Sequence, residues 1–166
     1  MSRTKFVLID IDGTIAEKHP DRDIFNYELV HMDYPINQTI EVINCLLGQK
    51  NETLTIKLKN NIETSIIGYQ PIFLSGRSED CRQETIEWLQ KYLKVDHTNE
   101  RLYMRSSGDY RKDHIVKKEL LYQFMEDYQI IKDDIFCVFD DRLSVIQMWI
   151  NEGLFVFNVN NGKGDF

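Results

Sequence analysis

The residues best suited to chemistry follow a short apolar segment near the start of the chain, in the sequence Asp10-Ile11-Asp12-Gly13-Thr14. The apolar run from Phe6 to Ile9 is typical of a buried parallel strand, so Asp10 and Asp12 would lie at its C-terminal end. Ligands bind at that edge of open α/β sheets. In a continuing strand the two carboxylates would share a face and repel each other unless a cation or a proton intervenes. The pattern therefore predicts a Mg²⁺ site and a carboxylate nucleophile.

Three later positions carry polar groups suited to phosphate chemistry, each close to the end of a predicted strand or the start of a helix. Because the carboxyl ends of parallel strands meet at one edge of a sheet, we expect all of them to join Asp10 and Asp12 in one cleft. These positions are Ser75 with Arg77, the segment Asp113 to Lys117, and Asp140-Asp141-Arg142.

Apolar segments alternate with helical patterns along the chain, which indicates an α/β fold with a parallel sheet. The strands are predicted at about 5–10, 71–74, 102–104, 135–139 and 154–157, with Ser75-Gly76-Arg77 as a turn after the second. The helices are predicted at about 35–47, 79–93, 113–127 and 143–152, with Gly153 as a C-cap of the last. Trp88 and Trp149 have apolar neighbours at helical spacing and are predicted to be core residues.

The segment between the first two strands allows two interpretations. Within 53–59, apolar residues alternate strictly with Thr and Lys, as in an exposed strand. However, Leu58, Ile62 and Ile66 also fit helical spacing. A helix from Lys57 onwards is the interpretation that we favour.

Composition limits the class of protein. The 166 residues are 42% hydrophobic and 28% charged, which fits one soluble globular domain. No apolar run approaches the roughly 20 residues of a membrane helix, and no signal peptide precedes the first strand, so we expect a cytoplasmic protein. The three cysteines show no paired spacing, which argues against a disulfide framework or a zinc site. The net charge of −7 opposes non-specific binding of duplex DNA and favours a small substrate or a local basic patch.

Taken together, these motifs resemble those of the haloacid dehalogenase-like (HAD) phosphatase superfamily. Its four motifs correspond here to Asp10–Thr14, Ser75, Lys117, and the acidic pair Asp140 and Asp141. The resemblance implies a Rossmann-like, three-layer α/β/α fold with a central parallel sheet and a small cap insertion. We expect a single domain over residues 1–166, with the cap inside about 15–69.

A finer resemblance, to the 3'-phosphatase domain of phage-type polynucleotide kinase/phosphatase enzymes, depends on further residues. These are Arg22, Ser75-Gly76-Arg77, the segment 111–119, Asp140-Asp141-Arg142, Met148-Trp149 and Gly164-Asp165-Phe166. The sequence contains no P-loop pattern, so no kinase activity is implied. The segment 49–61 is longer than in this subgroup. The resemblance implies a 3'-phosphorylated DNA or RNA end as substrate, a separate kinase or ligase as a possible partner, and the cytoplasm of a bacterium or a phage-infected host.

The resemblance also assigns roles to the motif residues. Asp10 would be the nucleophile and a Mg²⁺ ligand, and Asp12 would act as general acid and base while its backbone carbonyl binds the metal. Asp140 and Asp141 would complete the metal site. Ser75 would bind a phosphoryl oxygen. Lys117 would place a positive charge beside the phosphoryl group.

Four further residues are candidates for contacts with the substrate. They are Thr14, Arg22, Arg77 and Asp113. Asp113 also precedes Lys117 by four residues, so it could hold that lysine across one helical turn.

Two other functions remain open at this point. A small-molecule phosphatase, such as a nucleotidase, would use the same motifs and is favoured by the acidic net charge. A phosphoacceptor domain of the receiver type also uses acidic residues, Ser or Thr and Lys, but there the acidic pair comes first and the acceptor Asp later. This chain has the opposite order.

Overall fold

The computed structural model describes residues 2–23, 26–48, 54–57, 63–93, 95, 97–160 and 162. Its strands are β1 (Ser2–Ile9), β2 (Ala16–Glu17), β3 (Tyr34–Pro35), β4 (Leu54–Lys57), β5 (Glu63–Ser78), β6 (Leu102–Arg105), β7 (Ile135–Asp140) and β8 (Val156–Asn158). Its α-helices are α1 (Asn37–Leu47), α2 (Arg82–Leu93), α3 (Asp113–Asp127) and α4 (Leu143–Asn151).

The central sheet is parallel, in the order β6-β5-β1-β7-β8, and β4 pairs with the first part of β5 in the antiparallel direction. Because the five strands run in the same direction, the ends of β1, β5, β6 and β7 lie along one edge. This is the edge at which the motif residues were expected to meet, and the prediction of an α/β fold with a parallel sheet is confirmed.

Helices cover both faces of this sheet. Successive residues of β1 point to opposite faces, so Val7 and Ile9 join one core cluster while Phe6 and Leu8 join the other. The first cluster includes residues of α1 and α2, and the second includes residues of α3 and α4. The result is the three-layer α/β/α arrangement that the resemblance implies. Trp88 and Trp149 are buried in the two clusters, as predicted.

The prediction of a helix from Lys57 onwards is wrong where the structure describes this region. Leu54–Lys57 and Glu63–Ile66 form an antiparallel pair, and β5 then continues beside β1. Spacings of four residues fit a period of two as well as a period of 3.6, so Ile62 and Ile66 could not distinguish the two. The strand predicted from the alternating pattern is confirmed at 54–57, whereas 49–53 and 58–62 lie outside the described residues.

The turn predicted at Ser75-Gly76-Arg77 is also wrong, because β5 extends through Ser78. The register with β6 shifts between Ser75 and Ser78, which marks an irregularity at this point of the strand. The backbone N–H of Arg77 donates to Ser75 Oγ at 3.2 Å. The side chains of Ser75 and Arg77 are thus positioned by a distorted strand end. In the described part of the chain, no helix is both long and apolar enough to cross a membrane.

Candidate active site

A buried cluster of carboxylates around Lys117 occupies the C-terminal edge of the sheet. Asp10 follows β1, Asp140 ends β7, and Lys117 lies on the first turns of α3. The Lys117 ammonium is 2.7 Å from Asp10 Oδ1 and 2.9 Å from Asp140 Oδ2. Its third partner is Asp113 Oδ2 at 3.6 Å, one helical turn earlier, as predicted. Lys117 and Asp140 are fully enclosed, so this lysine is part of the site rather than of a solvated helix face.

The carboxylates exceed the positive charge available to them. Asp10, Asp140 and Asp141 each offer an oxygen atom, and these atoms lie within 4.8 Å of one another. Burial raises the pKa of Asp10 well above its usual value, Lys117 opposes that shift, and the charges of Asp140 and Asp141 add to it. Burial and Asp140 likewise raise the pKa of Asp141. Three oxygen ligands with unbalanced charge suit a hard divalent cation such as Mg²⁺, so these residues fit the predicted metal.

The turn after β1 fixes the orientation of Asp10. The Ile11 carbonyl accepts hydrogen bonds from the backbone N–H groups of Thr14, Ile15 and Ala16, which closes a tight turn. Within it, the Thr14 hydroxyl donates to Asp10 Oδ2 at 2.9 Å and is buried. The structure therefore places Thr14 as a partner of the expected nucleophile.

A glycine is required at position 13 of this turn. Gly13 has a φ of +84°, and a Cβ there would lie 2.0 Å from Asp141 Oδ2. A side chain would therefore be strained and would also displace a carboxylate of the metal cluster.

Asp12 has different partners from Asp10, and the expected repulsion between these two residues is not what the structure shows. Arg77 donates to both oxygens of Asp12, at 2.7 and 2.9 Å. Arg22 is 4.0 Å from the same carboxylate. The carboxylates that crowd Asp10 are Asp140 and Asp141. The strand ends at Ile9, so the continuing strand on which the expectation depended is not formed.

The two arginines are held by a buried carboxylate, Asp33. Arg22 donates to its two oxygens at 2.8 and 2.9 Å, and Arg77 donates to Oδ2 at 2.9 Å. The Asp33 carbonyl accepts a bond from the indole of Trp88 at 2.8 Å. Both arginine side chains are almost fully buried, so this arrangement favours a role in holding Asp12 over direct contact with the substrate. A substrate contact by either arginine stays a prediction.

The pair with Arg77 sets the charge of Asp12. Burial alone would raise the pKa of Asp12, but the guanidinium of Arg77, with a smaller effect of Arg22, holds it below its usual value. Asp12 is therefore ionised in the structure at neutral pH. Its carboxylate is 44% exposed, in contrast to the enclosed carboxylate of Asp10, so it can meet an incoming substrate.

We expect Asp33→Asn to lower the free energy of unfolding by about 3 kcal/mol, because it leaves two buried guanidinium groups without their shared charge. Equilibrium unfolding in urea measures this change. Asp21→Asn is the matched control, since Asp21 lies nearby in sequence and is 85% exposed. Equal stability of the two variants would contradict the structural role of Asp33.

Ser75 and Asp113 both lie at the end of β5, Ser75 on the strand itself and Asp113 against Gly76. The Ser75 hydroxyl is buried and accepts the backbone N–H of Arg77, which leaves its own proton available for another acceptor. A Cβ at Gly76 would lie 2.4 Å from Asp113 Oδ1, so glycine leaves the room that the Asp113 carboxylate occupies. Asp113 is also paired with Arg105 at 2.9 Å and with Arg142 at 3.5 Å.

The structure thus brings together the motif residues that the sequence singled out. Those that surround the carboxylate cluster and its borders are Asp10, Asp12, Thr14, Ser75, Arg77, Asp113, Lys117, Asp140 and Asp141. Sequence reasoning missed Asp33, a single acidic residue with no motif or spacing around it. It also missed the second role of Trp149, whose indole N–H donates to Asp140 Oδ2 at 3.1 Å.

The fold resembles that of known phosphatases. The class C acid phosphatase from Bacillus anthracis superposes with a TM-score of 0.52 at 14% identity, covering 98% of this chain and 69% of that one, which is a likeness of fold alone. Two solved structures are nearer: the Pnkp1/Rnl/Hen1 RNA repair complex, with a TM-score of 0.71 and 28% identity over 95% of this chain, and a Pnkp1/Rnl/Hen1 complex, with 0.71 and 31% over 99%. The fold is that of HAD-type phosphatases.

The sequence comparison gives the particular family. Residues 4–166 match the family described as the polynucleotide kinase PNKP phosphatase domain, and the chain belongs to that family. A relative from Autographa californica nuclear polyhedrosis virus, described as a putative bifunctional polynucleotide kinase/RNA ligase, is 33% identical over 144 residues, which are 86% of this chain and 17% of the relative. The chain also spans only 42% and 48% of the two matched repair-complex chains.

Proposed function

We propose that this phosphatase domain removes the 3'-phosphate from polynucleotide ends, with Mg²⁺ as cofactor and an aspartyl-phosphate intermediate. The observation that carries the proposal is the enclosed Asp10 carboxylate, oriented by Thr14 and Lys117 beside Asp140 and Asp141. A nucleophile fixed in this way fits the chemistry of the family to which the chain belongs.

In the first step, an oxygen of Asp10 attacks phosphorus and the bond to the sugar oxygen breaks. Asp12 protonates that leaving oxygen, and later takes a proton from the water that hydrolyses the aspartyl-phosphate. Inorganic phosphate leaves and the Asp10 carboxylate is restored. Ser75 binds a phosphoryl oxygen and Lys117 offsets negative charge as the bonds to phosphorus change. Bound Mg²⁺, held by Asp10, Asp140, Asp141 and the Asp12 carbonyl, would supply charge that draws the phosphate to the nucleophile.

Because Asp12 forms an ion pair with Arg77, it can act as a general acid only after its carboxylate gains a proton. Asp12 is ionised in the structure, yet a general acid must begin the reaction protonated. The dianionic phosphate adds negative charge beside Asp12, which raises the pKa of that carboxyl group when the substrate binds. Binding of the substrate thereby favours uptake of a proton from solvent by Asp12, and this is the proton that the leaving oxygen then receives.

We expect the apparent affinity for Mg²⁺ to weaken as the pH falls from neutral to about pH 5. This pH interval lies above the usual pKa of an aspartate carboxyl group. The pKa values of Asp10 and Asp141 are raised, so each holds a proton at a pH at which an ordinary Asp is ionised, and that proton must leave before the cation binds. Calorimetric titration across this range measures the effect. An affinity that does not change with pH would contradict it.

Thermal unfolding gives a second check on the same site. A raised carboxyl pKa contributes stability that the metal-free protein loses as the pH rises through the raised value. Mg²⁺ should therefore raise the melting temperature most at the alkaline end.

Asp140→Asn removes one of the clustered carboxylates, so we expect it to weaken Mg²⁺ binding and activity together. An unchanged titration would exclude Asp140 as a ligand.

A small-molecule phosphatase, such as a nucleotidase, is the alternative that the net charge of −7 favours. A panel with Mg²⁺ separates the two: an oligonucleotide with a 3'-phosphate, the same strand with a 5'-phosphate, and a 3'-mononucleotide. We expect turnover of the 3'-phosphorylated strand at the highest kcat/KM. Equal or better turnover of the mononucleotide would refute a role at polynucleotide ends.

The described functions of the relatives extend the proposal. The viral relative is described as a putative bifunctional polynucleotide kinase/RNA ligase. Of the two matched Pnkp1/Rnl/Hen1 complexes, one is described as an RNA repair complex. We therefore propose RNA ends as substrates beside DNA ends. A kinase and a ligase, on the same or separate chains, would act on the end that this domain leaves. A single domain over 1–166, a cap within about 15–69 and a cytoplasmic location stay predictions.

A further inference from the structure

The loop between β6 and α3 presents one aromatic side chain to solvent. Tyr110 is 93% exposed, well above Phe155, whose 66% is the next highest value among the large apolar and aromatic side chains that the structure describes. The loop, residues 106–112, otherwise carries small, polar and charged residues. A single exposed aromatic residue is common on protein surfaces, so its surroundings must decide whether it has a function.

The backbone that carries Tyr110 is firmly held. The Arg105 guanidinium donates to the carbonyls of Asp109 and Arg111 at 3.2 and 2.8 Å, on either side of Tyr110. The Ser107 hydroxyl donates to Asp80 Oδ2 at 3.0 Å, which ties the start of the loop to the segment after β5. Exposure of the ring is therefore not a consequence of a loose loop.

This loop also borders the active site. Asp113 begins α3 three residues after Tyr110 and pairs with Arg105 at 2.9 Å. It lies 3.6 Å from the ammonium of Lys117, which is itself 2.7 Å from Asp10. Tyr110 thus stands on a rigid loop that is joined to the expected nucleophile through a short series of charged contacts.

We propose that Tyr110 is a substrate-binding residue that stacks on a base of the substrate strand, at one of the two nucleotides nearest the 3'-phosphate. The inference rests on the proposed function. Aromatic rings bind single-stranded nucleic acids by stacking, which tolerates any base, and a ring on a fixed loop loses little freedom on binding. A chain with a net charge of −7 gains little from general attraction to phosphates, so an uncharged contact is well suited to hold the strand.

The test compares wild type, Tyr110→Ala and Tyr110→Phe on 3'-phosphorylated oligonucleotides. One substrate carries all its bases, and two others lack the base of the terminal or the penultimate nucleotide. We expect Tyr110→Ala to raise KM for the complete strand about 5- to 100-fold with little change in kcat. Tyr110→Phe should behave like wild type, because the ring is kept. On the substrate that lacks the stacked base, Tyr110→Ala and wild type should become equal.

Phe155→Ala is the matched control, since Phe155 is another exposed aromatic residue and lies on the approach to β8. Unchanged kinetics of Tyr110→Ala on the complete strand would overturn the inference, and so would a loss of the same size on all three substrates, which would indicate a structural role for the loop. Failure of wild type to hydrolyse any 3'-phosphorylated strand would instead refute the proposed function.

Discussion

Asp10→Asn is expected to abolish hydrolysis of a 3'-phosphorylated end, with a loss in kcat of at least about 1,000-fold. The amide nitrogen cannot attack phosphorus as the carboxylate oxygen does, and Asn keeps nearly the same shape. The remaining oxygen can keep the contact that Oδ1 makes with Lys117, while the amide group in place of Oδ2 can donate to the Thr14 hydroxyl. The fold should survive, because the substitution also removes one of the negative charges that crowd Asp140 and Asp141. Steady-state kinetics and circular dichroism measure the two effects.

The covalent step can be observed directly by acid quenching with a radiolabelled phosphate on the substrate. Wild type should carry label that is stable in acid, and Asp10→Asn should carry none. Asp12→Asn serves as the control: it keeps the nucleophile but removes the group that activates water, so label should persist longer when the leaving group needs no proton. Retained turnover in Asp10→Asn, or equal labelling of that variant, would refute Asp10 as nucleophile.

Lys117→Met should lower the free energy of unfolding by about 3–5 kcal/mol in the absence of Mg²⁺, because it leaves buried carboxylates without their shared cation. Burial would lower the pKa of Lys117, but Asp10, Asp140 and Asp113 hold it well above its usual value, so the lysine is charged at neutral pH. We also expect a large loss of activity, since the charge that would face the phosphoryl group is gone. Urea unfolding and kinetics measure these effects.

Lys118→Met is the matched control for this variant. Lys118 is the next residue of α3, yet its side chain is 49% exposed and pairs with Glu152 rather than with the carboxylate cluster. Glu152 also pairs with Lys132 at 2.6 Å, so it keeps a cation when Lys118 is replaced, and we expect the loss of one partly exposed pair to cost little stability. Mg²⁺ should stabilise Lys117→Met more than wild type, and Lys118→Met by the same amount as wild type, because its metal site is unchanged. Equal stability of the two variants, with and without Mg²⁺, would refute the role assigned to Lys117.

Much of the fold could be predicted from the sequence. Helix α3 runs from Asp113 to Asp127, the range that its apolar spacing indicated. Strands β1 and β7 were found from their apolar runs. These elements have one period and clear boundaries. Part of the antiparallel pair of β4 and β5 was mistaken for a helix, because its residues fit two periods and only pairing with a distant strand separates them.

The sequence by itself determined which polar groups come together and at which edge of the sheet they meet. Buried parallel strands that end in polar residues can place those residues only along their shared carboxyl edge, so the four motifs already indicated one site. The family match agrees with that outcome.

Only the tertiary structure decided which charged group pairs with which. It pairs Asp10 with Lys117, assigns Asp12 to Arg77 across 65 residues of sequence, and adds Asp33, which no motif marked. The physical reason is that charge pairing depends on distances of about 3 Å, set by how strands and helices pack, and spacing along the chain contains no record of that packing.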